Sequence, residues 1–241
     1  MKNLVSAAGA ALRSLLYPPR CESCAAEVSQ NEYLCAKCQK NARRIKPPFC
    51  ERCSEPFDGA ITETFECSNC AQRHFHFTHA VACFRSRGIV RELVHRFKYQ
   101  REFHLRFPLA DWLLEAMNDE RISAKPFHAF VPVPLHPARL REREFNQAHV
   151  LANLASECAG VPVLDCLIRV RNTTTQTRHD RTERMENLRN AFRLRQCADV
   201  HGKHLVLLDD VFTTGSTVDE CARMQMTAGA ASVRAVAVAR G

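Results

Sequence analysis

A mostly parallel α/β sheet flanked by helices, preceded by a small module held together through its cysteines, is the architecture this sequence predicts. Three observations predict it. Four Cys-x-x-Cys pairs crowd residues 21 to 70; strand and helix patterns alternate through the rest of the chain; and one strand, LVLLDD, runs into a turn rich in Thr, Gly and Ser. At 241 residues the chain exceeds a usual single domain of ~100–150 residues, so a module plus a main domain is expected. The divisions read as a leading helix over 1–20, the cysteine module over 21–73 and the α/β domain over 74–241.

Taken in order, MKNLVSAAGAALRSLLYPP opens with a lysine and an apolar run that imitates a secretion signal. Arg13 interrupts the run, and the amphipathic spacing followed by Pro18 and Pro19 favours a short helix. The chain is therefore expected to be cytoplasmic. No stretch reaches the ~18 apolar residues of a membrane span, so no membrane insertion is expected. HFHFTHAVACF (74–84) alternates as a strand does, with His74, His76 and His79 read as strand-face residues and not metal ligands. GIVRELVHRFKYQ (88–100) places Ile89, Leu93 and Phe97 at helical spacing, and LADWLLEAM continues as a second helix. HAFVPVPLHP (128–137) reads as a strand entering a proline-stiffened loop, FNQAHVLANLASECAG as a helix ending at Gly160, and VPVLDCLIRVR as a further strand. Residues 172–189 are polar and read as an exposed loop; KHLVLLDDV, STVDECARMQMTAGA and ASVRAVAVAR then give strand, helix and strand.

The pairs Cys21/Cys24, Cys35/Cys38, Cys50/Cys53 and Cys67/Cys70 are spaced by gaps of 10, 11 and 13 residues. Two residues between thiolates let both reach one tetrahedral metal, and two such knuckles complete a four-cysteine site. Two structural Zn2+ ions are expected, with iron–sulfur ligation the minority alternative. Sequential pairing is simplest; interleaved pairing stays open. The five other cysteines (Cys83, Cys158, Cys166, Cys197, Cys221) read as small core residues in a reducing compartment. The formal charge of +8 suggests an anionic partner. Eight thiolates and two zinc ions would reduce it to about +4, so local clustering counts for more. Residues 85–106 hold seven Lys or Arg against two acids.

LVLLDDVFTTGST (205–217) carries the chemistry. Its strand ends at Asp209 and Asp210, where ligands bind in open α/β sheets. The turn feeds a helix N-terminus, whose N–H groups cradle anions; Gly215 permits close approach, and Thr213, Thr214, Ser216 and Thr217 add hydroxyls. Adjacent carboxylates repel phosphate but accept from a vicinal diol. The string thus describes a sugar 5-phosphate, its phosphate in the turn and its hydroxyls on the aspartates. Arg139, Arg141 and Arg143 offer charge-assisted donors, Lys98 is a further phosphate candidate, and Gln176, Arg181 and Arg184 sit on a loop able to close over a ligand. Asn146 and Gln147 read either as substrate contacts or as a helix cap.

The same string resembles the ribose-phosphate motif of type I phosphoribosyltransferases. Together with VPVPLHPARLREREFNQAHVLA (131–152), TQTRHDRTERMENLRNAF (175–192) and the cysteine pairs, the chain resembles the ComF/GntX family, in which a double zinc ribbon precedes a phosphoribosyltransferase domain. The resemblance implies phosphoribosyl pyrophosphate as ligand, Mg2+ bound with it, and a role in competence, DNA uptake or DNA utilisation. It adds single-stranded DNA and competence proteins to the expected partners. If the site turns over, the reaction is pentosyl transfer; a sensor without turnover is the alternative, and an ordinary nucleotide-salvage transferase a third. Thr213 stands where purine-salvage relatives carry an aspartate, which argues against salvage. Glu144 stands where the R-x-F-N-Q segment commonly has glycine. No residue is assigned as catalytic.

Overall fold

The computed structural model describes residues 18–30, 32–59, 64–172, 188–196 and 198–241. The expected leading helix over residues 1–17 and the loop over 173–187 therefore lie outside the described residues, as does Cys197.

Four parallel strands form the main sheet: β1 (Ala80–Arg85), β2 (Ala129–Pro132), β5 (His204–Phe212) and β6 (Ser232–Arg240), in the order β1-β6-β5-β2. The longest strands are central and buried on both faces, which is why LVLL and VRAVAVA read as near-continuous apolar runs. Alternation along β5 sends Val206 and Leu208 to one layer, and Leu205 and Leu207 to the other.

The first layer holds three helices. On α3 (Ile89–Tyr99), Val90, Leu93, Val94 and Phe97 are buried at i, i+3, i+4, i+7 spacing. On α4 (Arg106–Met117), Leu109, Trp112, Leu113 and Ala116 are buried, and α7 (Gln147–Ala159) contributes Leu151, Ala152 and Ala155. Gly160 ends α7 at φ +68°, as the sequence reading expected. The opposite layer holds α8 (Ser216–Thr227) and an antiparallel pair, β3 (Leu167–Arg169) with β4 (Phe192–Leu194). Each fully buried Leu or Phe contributes about 1.5–3 kcal/mol by leaving water. Among the described residues there are also the short helices α1 (Ala36–Asn41), α2 (Ser68–Ala71), α5 (Glu120–Ser123) and α6 (Pro137–Arg143). No helix among the described residues is long and apolar enough to cross a membrane.

Three expectations are corrected. HFHFTHAVACF is a strand only from Ala80. Its alternation is real, since Phe75 and Phe77 are buried while His74 and Thr78 are exposed, but this stretch bends over β6 and packs Phe77 edge-on to Phe212 at 5.9 Å. The strand read in VPVLDCLIRVR is confined to Leu167–Arg169 and leaves the main sheet to pair with β4, a three-residue strand too short to announce itself. Cys158 is exposed and Cys83 half-buried, so of the lone cysteines described only Cys166 and Cys221 are core residues.

Candidate functional site

The eight paired cysteines form two clusters, Cys21/Cys24/Cys35/Cys38 and Cys50/Cys53/Cys67/Cys70, with the sulfurs of each within 4.8 Å of one another. The pairing is sequential. Zinc–sulfur bonds of about 2.3 Å in a tetrahedron require sulfurs about 3.8 Å apart. Cys24 and Cys35 sulfurs lie at 3.6 Å, as do those of Cys53 and Cys67, so both donor sets fit structural Zn2+. In each cluster the second knuckle opens a helix, α1 after Cys35 and α2 after Cys67. A third group, Glu22, Glu102 and His104, is joined through Arg96 and His104 as an ion-pair network on the first ribbon.

The ligand turn lies at the carboxyl end of β5, the central position the sheet topology gives it. Gly215 caps α8 at φ +80°, ψ −5°, and a Cβ there would lie 2.8 Å from the Phe212 ring. Only glycine satisfies both demands. Thr214 and Ser216 hydroxyls lie 3.0 Å apart; Ser216 is buried, Thr217 half-buried and Thr213 exposed. A cavity of about 240 Å³, lined by Arg73, Leu188, Arg189, Ser216, Asp219, Glu220 and Arg223, opens beside the first turns of α8.

The two aspartates serve different faces. Buried Asp210 receives Lys98 Nζ of α3 at 2.7 Å. Burial works against ionising it, but the ammonium overrides this and holds the carboxyl below its ordinary value. Burial, reinforced by the Asp210 charge, pushes Asp209 up to about 8. Asp209 interacts electrostatically with Arg169 of β3, whose own pKa is lowered by burial and by the charge of Arg139. Lys98, expected as a phosphate partner, is thus paired with Asp210.

Arg139, Arg141 and Arg143 are separated by α6. Residues i and i+4 share a helix face whereas i+2 faces away. Arg143 is buried, donating to Gln147 Oε1 at 3.1 Å and to the Tyr99 hydroxyl at 2.9 Å, while Arg141 is exposed. Asn146 settles as the cap of α7, accepting from Ala148 N–H at 3.0 Å and donating to the Val133 carbonyl at 3.0 Å. Gln147 is 2% exposed, and its amide nitrogen has no hydrogen-bond partner among the described residues. This leaves a buried donor beside the arginine helix. Glu144 adopts φ +69° at the end of α6 and pairs with Arg101 at 2.9 Å. Gln176, Arg181 and Arg184 lie outside the described residues.

The basic stretch 85–106 is largely neutralised. Arg85 pairs with Asp58, Arg96 with Glu102, Lys98 with Asp210 and Arg101 with Glu144. Two residues the sequence reading did not single out reach the turn itself. Asn69 Nδ2 and Arg73 Nη1 donate to the Thr214 carbonyl at 3.4 and 3.1 Å. No spacing rule links residue 73 to residue 214, so nothing in the sequence announced the contact.

Residues 12–71 match the double zinc ribbon domain family, and residues 146–241 the phosphoribosyl transferase domain family. DNA utilization protein YhgH of Salmonella typhi is 32% identical over 224 residues, spanning 91% of this chain and 96% of that protein. Competence protein F of Haemophilus influenzae is 30% identical over 211 residues, spanning 86% and 90%. The chain belongs to the ComF/GntX family. Competence protein ComFC of Streptococcus pneumoniae is a further relative, 27% identical over 86% of this ComF-family chain and 87% of its own length.

Proposed function

We propose that this ComF-family protein binds phosphoribosyl pyrophosphate with Mg2+ and acts in DNA uptake or utilisation in the cytoplasm. One observation carries the reading: Asp209 and Asp210 lie in the carboxyl-terminal half of the central strand, which runs on through Val211 to Phe212 and then into a glycine-capped turn and the N-terminus of α8. The turn receives the 5-phosphate, with Thr213, Thr214, Ser216 and Thr217 hydroxyls and free backbone N–H groups as donors. The carboxylates accept from the ribose diol. Arg139, Arg143 and Gln147 supply donors for the pyrophosphate, and Gln176, Arg181 and Arg184 belong to the segment that closes over it. Mg2+ entering with the ligand would supply charge neutralisation on the pyrophosphate. The module at 21–73 and the domain at 74–241 act as one unit in this reading.

A sensing role without turnover is favoured over nucleotide salvage by Thr213, which puts a neutral, exposed side chain where salvage relatives place an acid. The relatives are named competence and DNA utilization proteins, and this reading takes competence proteins and single-stranded DNA as the partners.

Calorimetric titration of the zinc-loaded protein with phosphoribosyl pyrophosphate and Mg2+ tests the ligand. The expected result is saturable binding that Asp209→Ala/Asp210→Ala abolishes. Failure of the wild type to bind would overturn the proposal. Pyrophosphate release on adding DNA or free nucleobases would replace the sensor with a transferase.

A further inference from the structure

The second zinc ribbon reaches the turn before α8 at the Thr214 main-chain carbonyl. Its last knuckle runs Cys67-Ser68-Asn69-Cys70, so the metal-binding cysteines at 67 and 70 fix both ends of the segment carrying Asn69. Asn69 is 6% exposed; its amide donates to the Thr214 carbonyl, and its Oδ1 accepts from Arg73 Nη1 at 3.1 Å. Arg73 lies over the Phe75 ring, 4.4 Å from its centre, and it donates to the same Thr214 carbonyl.

That carbonyl belongs to the peptide unit whose other end is the Gly215 N–H. The Thr214–Gly215 peptide is trans, so its C=O and N–H point in opposite directions. Holding the carbonyl on the ribbon side therefore aims the Gly215 N–H away from the ribbon. A cationic donor on the carbonyl also polarises the peptide and strengthens the N–H as a donor. Glycine at φ +80° has more backbone freedom than any other residue, and this peptide is the one that most needs an external hold.

We infer that Asn69 and Arg73 are positioning residues: they make the second zinc ribbon a structural part of the 5-phosphate cradle by orienting the Gly215 N–H toward the bound anion. The inference rests on the ligand reading proposed above and assigns the ribbon a role within it. The ligand chemistry is a sugar phosphate monoester, and ribose 5-phosphate is the probe.

Thr214–Gly215 is the one Thr-Gly dipeptide in the sequence, so labelling threonine carbonyl carbons and glycine nitrogens gives a single amide–carbonyl correlation in the spectrum. Arg73→Ala is expected to move the Thr214 carbonyl resonance upfield and to weaken ribose 5-phosphate binding by roughly tenfold or more, the loss of one charged hydrogen bond. Arg73→Lys recovers part of both, and zinc content stays at about two ions per chain. Asn69→Ala, which leaves every zinc ligand and Arg73 in place, gives a smaller change of the same sign. A carbonyl shift with unaltered affinity overturns the inference while leaving the ligand reading intact, and so does the absence of both effects. A wild type that does not bind ribose 5-phosphate overturns both.

Discussion

The two zinc ribbons share a ligand set and a knuckle geometry, yet they meet opposite layers of the same sheet. Cys21 and Cys38 of the first pack with α3, α4 and α7; Cys50, Cys53 and Cys70 of the second pack with α8 and the turn-bearing side. The first ribbon meets the domain through buried apolar residues, Leu34 and Ala42 among them, and through polar and aromatic contacts at its rim. Glu22 pairs with His104 at 2.9 Å, Arg44 pairs with Glu115, and Tyr33 stacks on Phe107 at 5.9 Å. Cys24 is exposed. The second is tied to the domain at many points: Ser54 donates to the Ala80 carbonyl at 3.2 Å, Glu55 pairs with Arg240, and Asn69 and Arg73 hold Thr214. Beyond the ribbon's end, His76 N–H donates to Asp219 at 2.7 Å. Identical metal chemistry thus serves one ribbon that packs on the α3, α4 and α7 layer and another that holds the Thr214 carbonyl of the turn before α8.

Cysteine substitutions should break the symmetry most strongly. Cys70→Ser is expected to lower zinc to about one ion per chain, drop Tm by roughly 10 °C and abolish ribose 5-phosphate binding. Cys24→Ser should lose one zinc as well but keep binding within about twofold, because its ribbon lies away from the turn. Metal analysis, thermal melts and calorimetry on the two variants measure the contrast. Equal loss of binding in both would remove it.

Next in size is the Lys98–Asp210 pair, side chains 18% and 8% exposed. Lys98→Met leaves a buried carboxylate without its cation and should cost roughly 3–5 kcal/mol, most of it recovered by adding Asp210→Asn. Denaturant titration of the single and double variants reads this coupling. If the double variant is no more stable than the single one, the pair is not coupled as described.

A pH dependence follows from Asp209. Its folded pKa is raised to about 8, above an unfolded value near 3.9. The folded state therefore holds the extra proton, and stability falls as pH rises across that window. Asp209→Asn should flatten the decline. In the wild type, ribose 5-phosphate affinity should climb between about pH 7 and 9 as the diol acceptor ionises. A flat affinity profile would detach Asp209 from the sugar.

The smallest effect expected is a gain. Glu144 holds a left-handed conformation that costs a non-glycine residue about 1–2 kcal/mol, and its exposed pairing with Arg101 returns little of this. Glu144→Gly should therefore raise stability by about 1 kcal/mol. The sequence comparison had marked this position as a departure from the family pattern, and the backbone explains why glycine is common there.

What was legible in the sequence was whatever depends on short spacing. Two residues between cysteines, an apolar run ending in Asp-Asp, and the helical spacing of Ile89, Leu93 and Phe97 are local signals, and each produced the element it announced, although Val90 and not Ile89 takes the buried position. What depended on long-range placement was not legible. The Lys98–Asp210 pair joins residues 112 positions apart, α6 turns Arg141 away from Arg143, and Arg73 reaches Thr214 across 141 positions. The β3–β4 pair was missed because three-residue strands carry too little periodicity to register.

The 5-phosphate and the two pyrophosphate phosphorus atoms of phosphoribosyl pyrophosphate resonate separately, so phosphorus NMR with protein and Mg2+ tests the placement of the ligand most directly. All three resonances should shift or broaden with the wild type. In Gly215→Ala, where a Cβ meets Phe212 at 2.8 Å, the 5-phosphate response should be lost first. A wild-type 5-phosphate resonance that stays unperturbed, or one that responds equally in Gly215→Ala, would contradict the assignment of the turn as its cradle.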